Sequence, residues 1–309
     1  MVSVAVYGAG GIGGYFGGRL AQGGADVSLI ARGEHLDAMQ QQGLHVESIH
    51  GDFSVAPFVT NDPEAIGPVD YVLVTVKSYD TGDVAAALSP LLHDDTAVIS
   101  LQNGVENEKV LANEIGKDHV LGGVAYIFST LSEPGVVTHS SGPARLIFGE
   151  LDGTRSDRAQ RFLDLCEQSE IEAELSTEIR KNLWTKFAFI CAQAGMTATA
   201  RCPIGQIRNT PESWAMYERL LREVITVANA TGVELSDEVA DRWLSFATEL
   251  DPDSYSSLHH DLVHGNRTEL EAFQGTVVDY ADQQDVAVPA TEAVYAVLKP
   301  QHDRNLSKS

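Results

Sequence analysis

The sequence has little positive charge. Its 309 residues include 44 Asp and Glu but only 21 Lys and Arg, which gives a formal net charge of −23, and only seven of the cations are lysines. A surface this acidic repels nucleic acids and anionic membranes, so we expect neither as a partner. We hypothesise that the acid-rich, lysine-poor composition reflects a saline habitat.

Cysteine is also scarce, and long apolar runs are missing. Cys166, Cys191 and Cys202 are widely spaced, odd in number and set in apolar or helical segments, which indicates buried thiols in a reducing compartment. No zinc-ligand spacing is present, and no charge-free apolar run is long enough to cross a bilayer. The first predicted strand begins directly after Met1, which leaves no room for a secretory signal. We therefore expect a cytoplasmic protein.

A glycine motif near the N-terminus carries the strongest signal. Val2–Tyr7 is typical of a buried strand, and a helical pattern begins within the glycine-rich segment that follows it. In a strand, turn and helix unit, the motif glycines allow a tight turn, close approach to a pyrophosphate and close helix packing. The predicted dinucleotide-binding residues are Gly8, Ala9, Gly10, Gly11, Ile12 and Gly13.

Two cations at strand ends indicate which dinucleotide binds. The strand Asp26–Ala31 is followed by Arg32, where this fold usually has an acidic residue for the ribose 2′-hydroxyl. An arginine there is able to pair with a 2′-phosphate, which favours NADPH as the cofactor. The alternative is that Arg32 is a solvated surface residue after a strand. Lys77, which closes the strand Tyr71–Val76 at the same predicted edge, favours the phosphate-binding interpretation.

Alternating strand and helix patterns predict the fold class. We expect an α/β N-terminal Rossmann-type dinucleotide-binding domain with an antiparallel extension, and an all-α C-terminal domain. The predicted domains are residues 1–175 and 176–309, and the polar end Gln301–Ser309 is expected to be disordered. The remaining predicted elements are helices near Gly11–Gln22, Gly33–Gln42, Thr81–Leu92 and Ser156–Gln168, and strands at Ala97–Leu101, Val120–Phe128, Val136–His139, Arg145–Phe148 and Ile171–Leu175.

Two further groups of residues are able to carry chemistry. Gln102 and Asn103 follow the strand Ala97–Leu101, although Asn before Gly is also common in plain turns. Lys186 lies in an otherwise apolar helical segment. Either its stem covers apolar surface at a helix edge, or desolvation lowers the pKa of the ammonium for acid–base work.

With these residues in view, the whole chain resembles the ketopantoate reductase family, also called the 2-dehydropantoate 2-reductase family. The resemblance rests on the glycine loop Gly8–Gly13, Arg32, Lys77, Leu101-Gln102-Asn103-Gly104, Phe148-Gly149-Glu150, Trp184-Thr185-Lys186, Thr197-Ala198, Cys202-Pro203 and Arg267-Thr268-Glu269-Leu270-Glu271.

This resemblance implies hydride transfer from NADPH to the ketone of a 2-oxo acid, which gives a 2-hydroxy acid. It implies that Lys186 is the general acid, that Asn103 lies between the nicotinamide ribose and the substrate, and that Ser257 and Glu269 contact the substrate. Gln102 is assigned to the cofactor site on the same basis.

The chain departs from the family at three positions. Members that reduce ketopantoate usually have asparagines where this sequence has Ile190, Ala194 and Ile204. Apolar groups therefore replace amides that would bond the carboxylate and hydroxyl of the substrate, and such losses strongly change discrimination. We expect a branched or aromatic 2-oxo acid to suit this pocket better than ketopantoate.

Two alternatives complete the predictions. His259, His260 and His264 have a helical spacing able to hold a metal, but no carboxylate or cysteine motif completes the set, and we predict no metal site. The alternative function is a non-catalytic protein that uses the same fold to sense NADPH or to hold a partner, which the lost asparagines favour. Lys186 and Glu269 argue against it, because a sensor does not need a proton donor beside the nicotinamide. A helical second domain with an apolar face makes a homodimer the default expectation.

Overall fold

The computed structural model describes residues 1–307. It divides the chain into two compact units. The first comprises Met1–Asn103 and Asn107–Ile179, and the second comprises Gly104–Glu106 and Arg180–Ser309. Residues 104–106 therefore belong to the second unit, the chain returns to the first unit at Asn107, and it enters the second unit again at Arg180.

A mixed sheet forms the centre of the first unit, and its middle strands are buried on both faces. In β1 (Ser3–Tyr7), Val4 and Val6 belong to one apolar cluster while Ala5 belongs to another. Side chains alternate across a strand, so the two clusters lie on opposite faces of the sheet. This burial explains why these strands are apolar throughout, and it confirms the predicted α/β class.

The strand order is β4-β3-β9-β8-β7-β6-β1-β2-β5, with β10 paired to β9. Strands β5, β2, β1, β6, β7 and β8 pair in parallel, whereas β8 with β9 and β3 with β4 are antiparallel. The other strands are β2 (Asp26–Ile30), β3 (Leu44–Ser48), β4 (Phe53–Val55), β5 (Phe58–Thr60), β6 (Tyr71–Val74), β7 (Ala97–Ser100), β8 (Val120–Glu133), β9 (Val136–Glu150) and β10 (Glu172–Leu175).

The antiparallel extension is one long hairpin. The sequence predicted separate strands at Val136–His139 and Arg145–Phe148, and this division is wrong, because both belong to the 15-residue β9. Register shifts against β8 and the positive φ of Ala144 (52°) interrupt the regular pairing between the two segments. Strands β3, β4 and β5 were not predicted.

Five α-helices belong to the first unit. The predicted helix Thr81–Leu92 is shorter in the structure, because a 3-10 turn at Ser89–Leu91 contains Pro90. The helices are α1 (Gly11–Gln22), α2 (Gly33–Gln42), α3 (Thr81–Ala87), α4 (Asn107–Ile115) and α5 (Asp157–Gln168), of which α4 was not predicted.

The second unit is built on helices, as the sequence predicted. A π-helical segment, Glu271–Gly275, precedes α11. The helices are α6 (Ile179–Ala200), α7 (Ile204–Arg208), α8 (Pro211–Ala230), α9 (Glu238–Glu249), α10 (Ser257–His264), α11 (Thr276–Gln284) and α12 (Pro289–Leu306).

The prediction of a disordered end at Gln301–Ser309 is wrong for residues 301–306, which form the last turns of α12. His302 and Asn305 are buried there, so tertiary contacts order a segment whose composition is polar. Lys308 and Ser309 lie outside the described residues.

The prediction of three buried thiols is confirmed for two of the cysteines. Cys166 and Cys191 are buried free thiols, and burial raises the pKa of each, whereas Cys202 is only half-buried. Within residues 1–307, no helix has both the length and the apolar composition that crossing a bilayer requires.

Candidate functional site

The glycine loop between β1 and α1 has the backbone geometry that the motif predicts. Gly8 has a φ of +105°, and a Cβ there would lie 2.8 Å from Val76 Cγ1. A Cβ on Gly13 would collide with the Gly8 carbonyl oxygen and with Thr75 Oγ1. At Gly10, by contrast, a Cβ would meet no atom within 4 Å. Gly8 and Gly13 are thus required by the fold, while the space next to Gly10 is open.

The open space lies at the start of α1. Gly10 is the N-cap of this helix and provides no side-chain cap, and the first turn has no acidic residue. The N–H groups at a helix start have no intrahelical partners and favour an anion. Thr75 Oγ1 fixes the preceding turn by donating to the Gly8 carbonyl oxygen over 2.6 Å. These features fit a dinucleotide phosphate.

Arg32 lies two residues beyond the end of β2 and is the N-cap of α2. Its side chain is 91% exposed. The Arg32 Nη2 atom lies 3.7 Å from Oδ2 of Asp80, the residue that precedes α3. An exposed pair at this distance contributes little to stability. The guanidinium is therefore accessible to a phosphate, with Asp80 as its competitor.

Lys77, Gln102 and Asn103 follow neighbouring parallel strands. Lys77 is half-buried and is the N-cap of the 3-10 turn Ser78–Asp80, three residues beyond the end of β6. Gln102 is buried, and its Nε2 donates to the Val76 carbonyl oxygen (3.0 Å) and to Thr81 Oγ1 (2.7 Å). The Gln102 side chain thus joins the ends of β6 and β7, which leaves its backbone as the part suited to a cofactor.

Asn103 differs from Gln102 because its side-chain oxygen has no hydrogen-bond donor. The Asn103 carbonyl oxygen accepts from Asn107 Nδ2 over 3.0 Å, whereas the side-chain Oδ1 is buried without a hydrogen-bond partner. A buried acceptor left without a donor costs about 1–3 kcal/mol. A ligand donor at this position would remove that cost.

Lys186 lies on α6 in the second unit. Burial lowers the pKa of Lys186 to about 8, and the negative charge of Glu269 opposes this by raising it. Glu269 is itself buried, two residues before the π-helical segment that begins at Glu271. The pair provides an ammonium that loses its proton near pH 8, beside a carboxylate whose charge helps to retain that proton.

The helix face that bears Lys186 continues toward α10. Residues four, seven and eleven positions after Lys186 share its face, and the last of these is Thr197. Thr197 Oγ1 donates to Ser256 Oγ over 2.7 Å, and Ser256 is the N-cap of α10. Ser257, the predicted substrate contact, is the first residue of α10 and is exposed.

The three positions where asparagine is replaced differ in burial. Ile190 is half-buried, whereas Ala194 and Ile204 are almost fully buried among the apolar side chains of the second unit. Next to Ala194, Gln193 has a buried Oε1 without a partner. Sequence reasoning missed Gln193, since one glutamine in an apolar helix gives no pattern.

The histidines of α10 do not form a metal cage. The rings of His260 and His264 lie 4.1 Å apart, and the ring of His259 stacks on Tyr255. Over residues 1–307, no group of three or more His, Cys, Asp and Glu side chains is arranged to hold a metal ion.

Two family models match most of the chain. Residues 4–153 match ketopantoate reductase PanE/ApbA, and residues 178–302 match the C-terminal region of the same family. An uncharacterized oxidoreductase, YkpB from Bacillus subtilis (strain 168), is 32% identical over 95% of this chain and 97% of its own length. A 2-dehydropantoate 2-reductase from Halobacterium salinarum is 34% identical, with 96% and 97% covered.

Solved structures agree with these relatives. A PanE/ApbA family ketopantoate reductase from Ralstonia eutropha JMP134 superposes with a TM-score of 0.91 at 31% identity, covering 99% of this chain and 100% of the other. A D-mandelate dehydrogenase, 21% identical, shares the fold with a TM-score of 0.90 over 99% of both chains. The chain belongs to the ketopantoate reductase PanE/ApbA family, whose named activity is that of an oxidoreductase.

Proposed function

We propose that this protein is an NADPH-dependent reductase that converts a 2-oxo acid to a 2-hydroxy acid, and that its substrate is less hydroxylated than ketopantoate. The observation that carries the proposal is the position of Lys186 on α6 of the second unit, where its ammonium is desolvated and the negative charge of the buried Glu269 acts on it. A lysine whose stem only covers apolar surface does not need a buried carboxylate next to its ammonium.

The residues of the first unit fit a nicotinamide dinucleotide. The glycine loop and the start of α1 would hold the pyrophosphate, and Arg32 with Lys77 would hold the 2′-phosphate. Asn103 Oδ1, buried and without a partner, would accept from the nicotinamide riboside or from the substrate. When bound, the reduced cofactor supplies the hydride.

Lys186 would act on the carbonyl oxygen of the substrate. As the ketone is reduced, negative charge develops on this oxygen, and the Lys186 ammonium stabilises the charge and donates the proton. Glu269 keeps the lysine protonated at neutral pH, because its negative charge raises the pKa that burial lowers. Ser257 and Glu269 would contact the substrate.

The apolar replacements support a less polar substrate. Ile190 offers a half-buried hydrocarbon surface on the Lys186 face of α6, where an asparagine would offer a hydrogen bond. A hydroxyl left without a partner in such a pocket loses affinity. The related fold solved with NADH and anilino(oxo)acetate supports testing aromatic oxo acids, and it also requires NADH to be tested.

The test is a panel assay on the purified protein. NADPH and NADH oxidation is followed by absorbance with ketopantoate, branched and aromatic 2-oxo acids. We expect turnover with NADPH and at least one branched or aromatic substrate. Tight binding of NADPH without turnover of any 2-oxo acid would support the non-catalytic sensor, and absence of binding would reject both functions.

A further inference from the structure

His35 on α2 connects two functional segments of the first unit. Its Nε2 lies 2.7 Å from the carbonyl oxygen of Ala9, within the glycine loop. Its Nδ1 lies 2.9 Å from the backbone nitrogen of Gly135, in the two-residue turn between β8 and β9. The side chain is buried, with 9% of its surface exposed.

The two partners fix the protonation state of His35. A carbonyl oxygen only accepts, so Nε2 carries the proton and donates to Ala9. A backbone N–H only donates, so Nδ1 is unprotonated and accepts from Gly135. Burial lowers the pKa of His35 and the bond to Ala9 partly raises it, so the neutral form with the proton on Nε2 is the one that suits both partners.

The bond at Ala9 controls the peptide that leads into α1. The Ala9 carbonyl and the Gly10 N–H belong to one planar unit. The Gly10 N–H donates to the Gly8 carbonyl oxygen over 2.8 Å, and His35 holds the opposite end of the same peptide. Rotation of this peptide would turn a carbonyl oxygen toward the open space beside Gly10, where it would repel an anion.

The other partner fixes the position of the hairpin. Gly135 has a φ of +82°, and its carbonyl oxygen accepts from the His45 backbone N–H over 2.9 Å. A Cβ on Gly11 would collide with the Ser129 carbonyl oxygen of β8, so the hairpin packs directly on the glycine loop. One imidazole therefore connects the loop to the strand pair that covers it.

We propose that neutral His35 is a positioning residue for the nucleotide, which holds the Ala9–Gly10 peptide and the turn at Gly135 together in the arrangement that accepts the pyrophosphate. This inference rests on the proposed function, because it requires that the loop binds a dinucleotide.

The experiment compares the dissociation constant of NADPH for three variants of the full chain. His35→Leu keeps apolar bulk but removes both hydrogen bonds, while His35→Gln retains one N–H donor and one carbonyl acceptor. His119→Leu is the matched control, because His119 Nδ1 bonds the Thr96 carbonyl oxygen near the opposite ends of the strands.

We expect His35→Leu to weaken NADPH about five- to tenfold, as the loss of one net hydrogen bond implies. His35→Gln and the control should stay within about twofold of the natural protein, and kcat at saturating NADPH should not change in any variant. An unchanged dissociation constant in His35→Leu, or equal weakening in His35→Gln, would overturn the inference. Failure of the natural protein to bind NADPH or NADH would overturn the proposed function as well.

A measurement on the natural protein covers the case in which His35→Leu does not fold. Nitrogen-15 shifts of the imidazole should report the proton on Nε2, and NADPH should slow hydrogen exchange of the Gly135 amide about fivefold or more. A proton on Nδ1, or exchange that NADPH leaves unchanged, would contradict the assignment.

Discussion

The Glu269 carboxylate raises the pKa of Lys186, while burial of the ammonium lowers it to about 8. Both residues belong to the second unit, and Glu269 is itself buried. The two effects place proton loss within the range in which general acids work best at neutral pH.

Lys186→Ala should lower kcat at least about a hundredfold, because both proton donation and charge stabilisation are lost. The dissociation constant of NADPH should stay unchanged, since the proposed nucleotide residues lie in the first unit. Lys181→Ala is the control, because Lys181 is on the same helix but five residues away and so on a different face. Normal turnover by the Lys186→Ala enzyme would assign the lysine a packing role.

The alkaline limb of kcat/KM should report the same ammonium. A general acid acts in its protonated form, so kcat/KM should be constant below about pH 8 and fall tenfold per pH unit above it. Glu269→Gln removes the charge that raises this pKa, so the inflection should move to lower pH. Glu271→Gln, two residues further on, should leave the inflection in place. A profile that does not respond to Glu269→Gln would show that another group titrates.

Arg32 should determine the choice between NADPH and NADH. Arg32→Ala should raise the KM for NADPH about tenfold or more and leave that for NADH nearly unchanged, because charged hydrogen bonds contribute about 1.5–3 kcal/mol. Asp80→Asn should lower the KM for NADPH about two- to threefold at low salt, since Asp80 competes for the guanidinium. Asp83→Asn on α3 is the control. An equal loss with both cofactors in Arg32→Ala would mean that Arg32 does not bind the 2′-phosphate.

The last turn of α12 should contribute to stability. Asn305 Nδ2 donates to the carbonyl oxygens of Asn266 (3.0 Å) and Leu262 (3.3 Å), at the end of α10. Asn305→Ala removes both hydrogen bonds, while the Leu262 carbonyl oxygen still accepts from Gln301 Nε2 over 3.0 Å. The loss of two bonds should reduce the free energy of unfolding by about 1–3 kcal/mol in urea titrations. Arg304→Ala, at an exposed neighbouring position, should change it by less than about 0.5 kcal/mol. Equal midpoints for the two variants would mean that residues 301–306 do not hold α10.

Local patterns in the sequence were sufficient to predict the glycine loop and the alternation of strands and helices. The end of α12 was missed because its polar residues are ordered by partners distant in the sequence, such as Asn266 for Asn305. The continuity of β9 was missed for a similar reason. The central segment of β9, Ser140–Ala144, has the composition of a turn. In the structure, β8 nevertheless pairs with β9 on both sides of this segment, with an irregular register.

In the candidate site, too, local sequence patterns predicted some residues, whereas others depend on contacts between distant parts of the chain. Lys186 was identified by its apolar surroundings, and Arg32 by its place after a strand. His35 has no such signal, because a single histidine beside apolar residues of an amphipathic helix does not reveal that its two nitrogens reach Ala9 and Gly135. Its role depends on two contacts that only the folded chain creates.

Substrate preference should follow from Ile190, the half-buried member of the three replaced positions. Ketopantoate should have a lower kcat/KM than at least one branched or aromatic 2-oxo acid, because an isoleucine cannot bond its polar groups. Ile190→Asn should raise kcat/KM for ketopantoate about tenfold and lower it for the apolar substrate, while Ile190→Leu should keep the natural order. The same substitution by asparagine is not suitable at Ala194 or Ile204, because both are deeply buried and the amide of the new side chain would lack hydrogen-bond partners. If ketopantoate has the highest kcat/KM of the panel in the natural protein, other residues must provide the missing hydrogen bonds, and Gln193 with its unpartnered Oε1 is the first to replace.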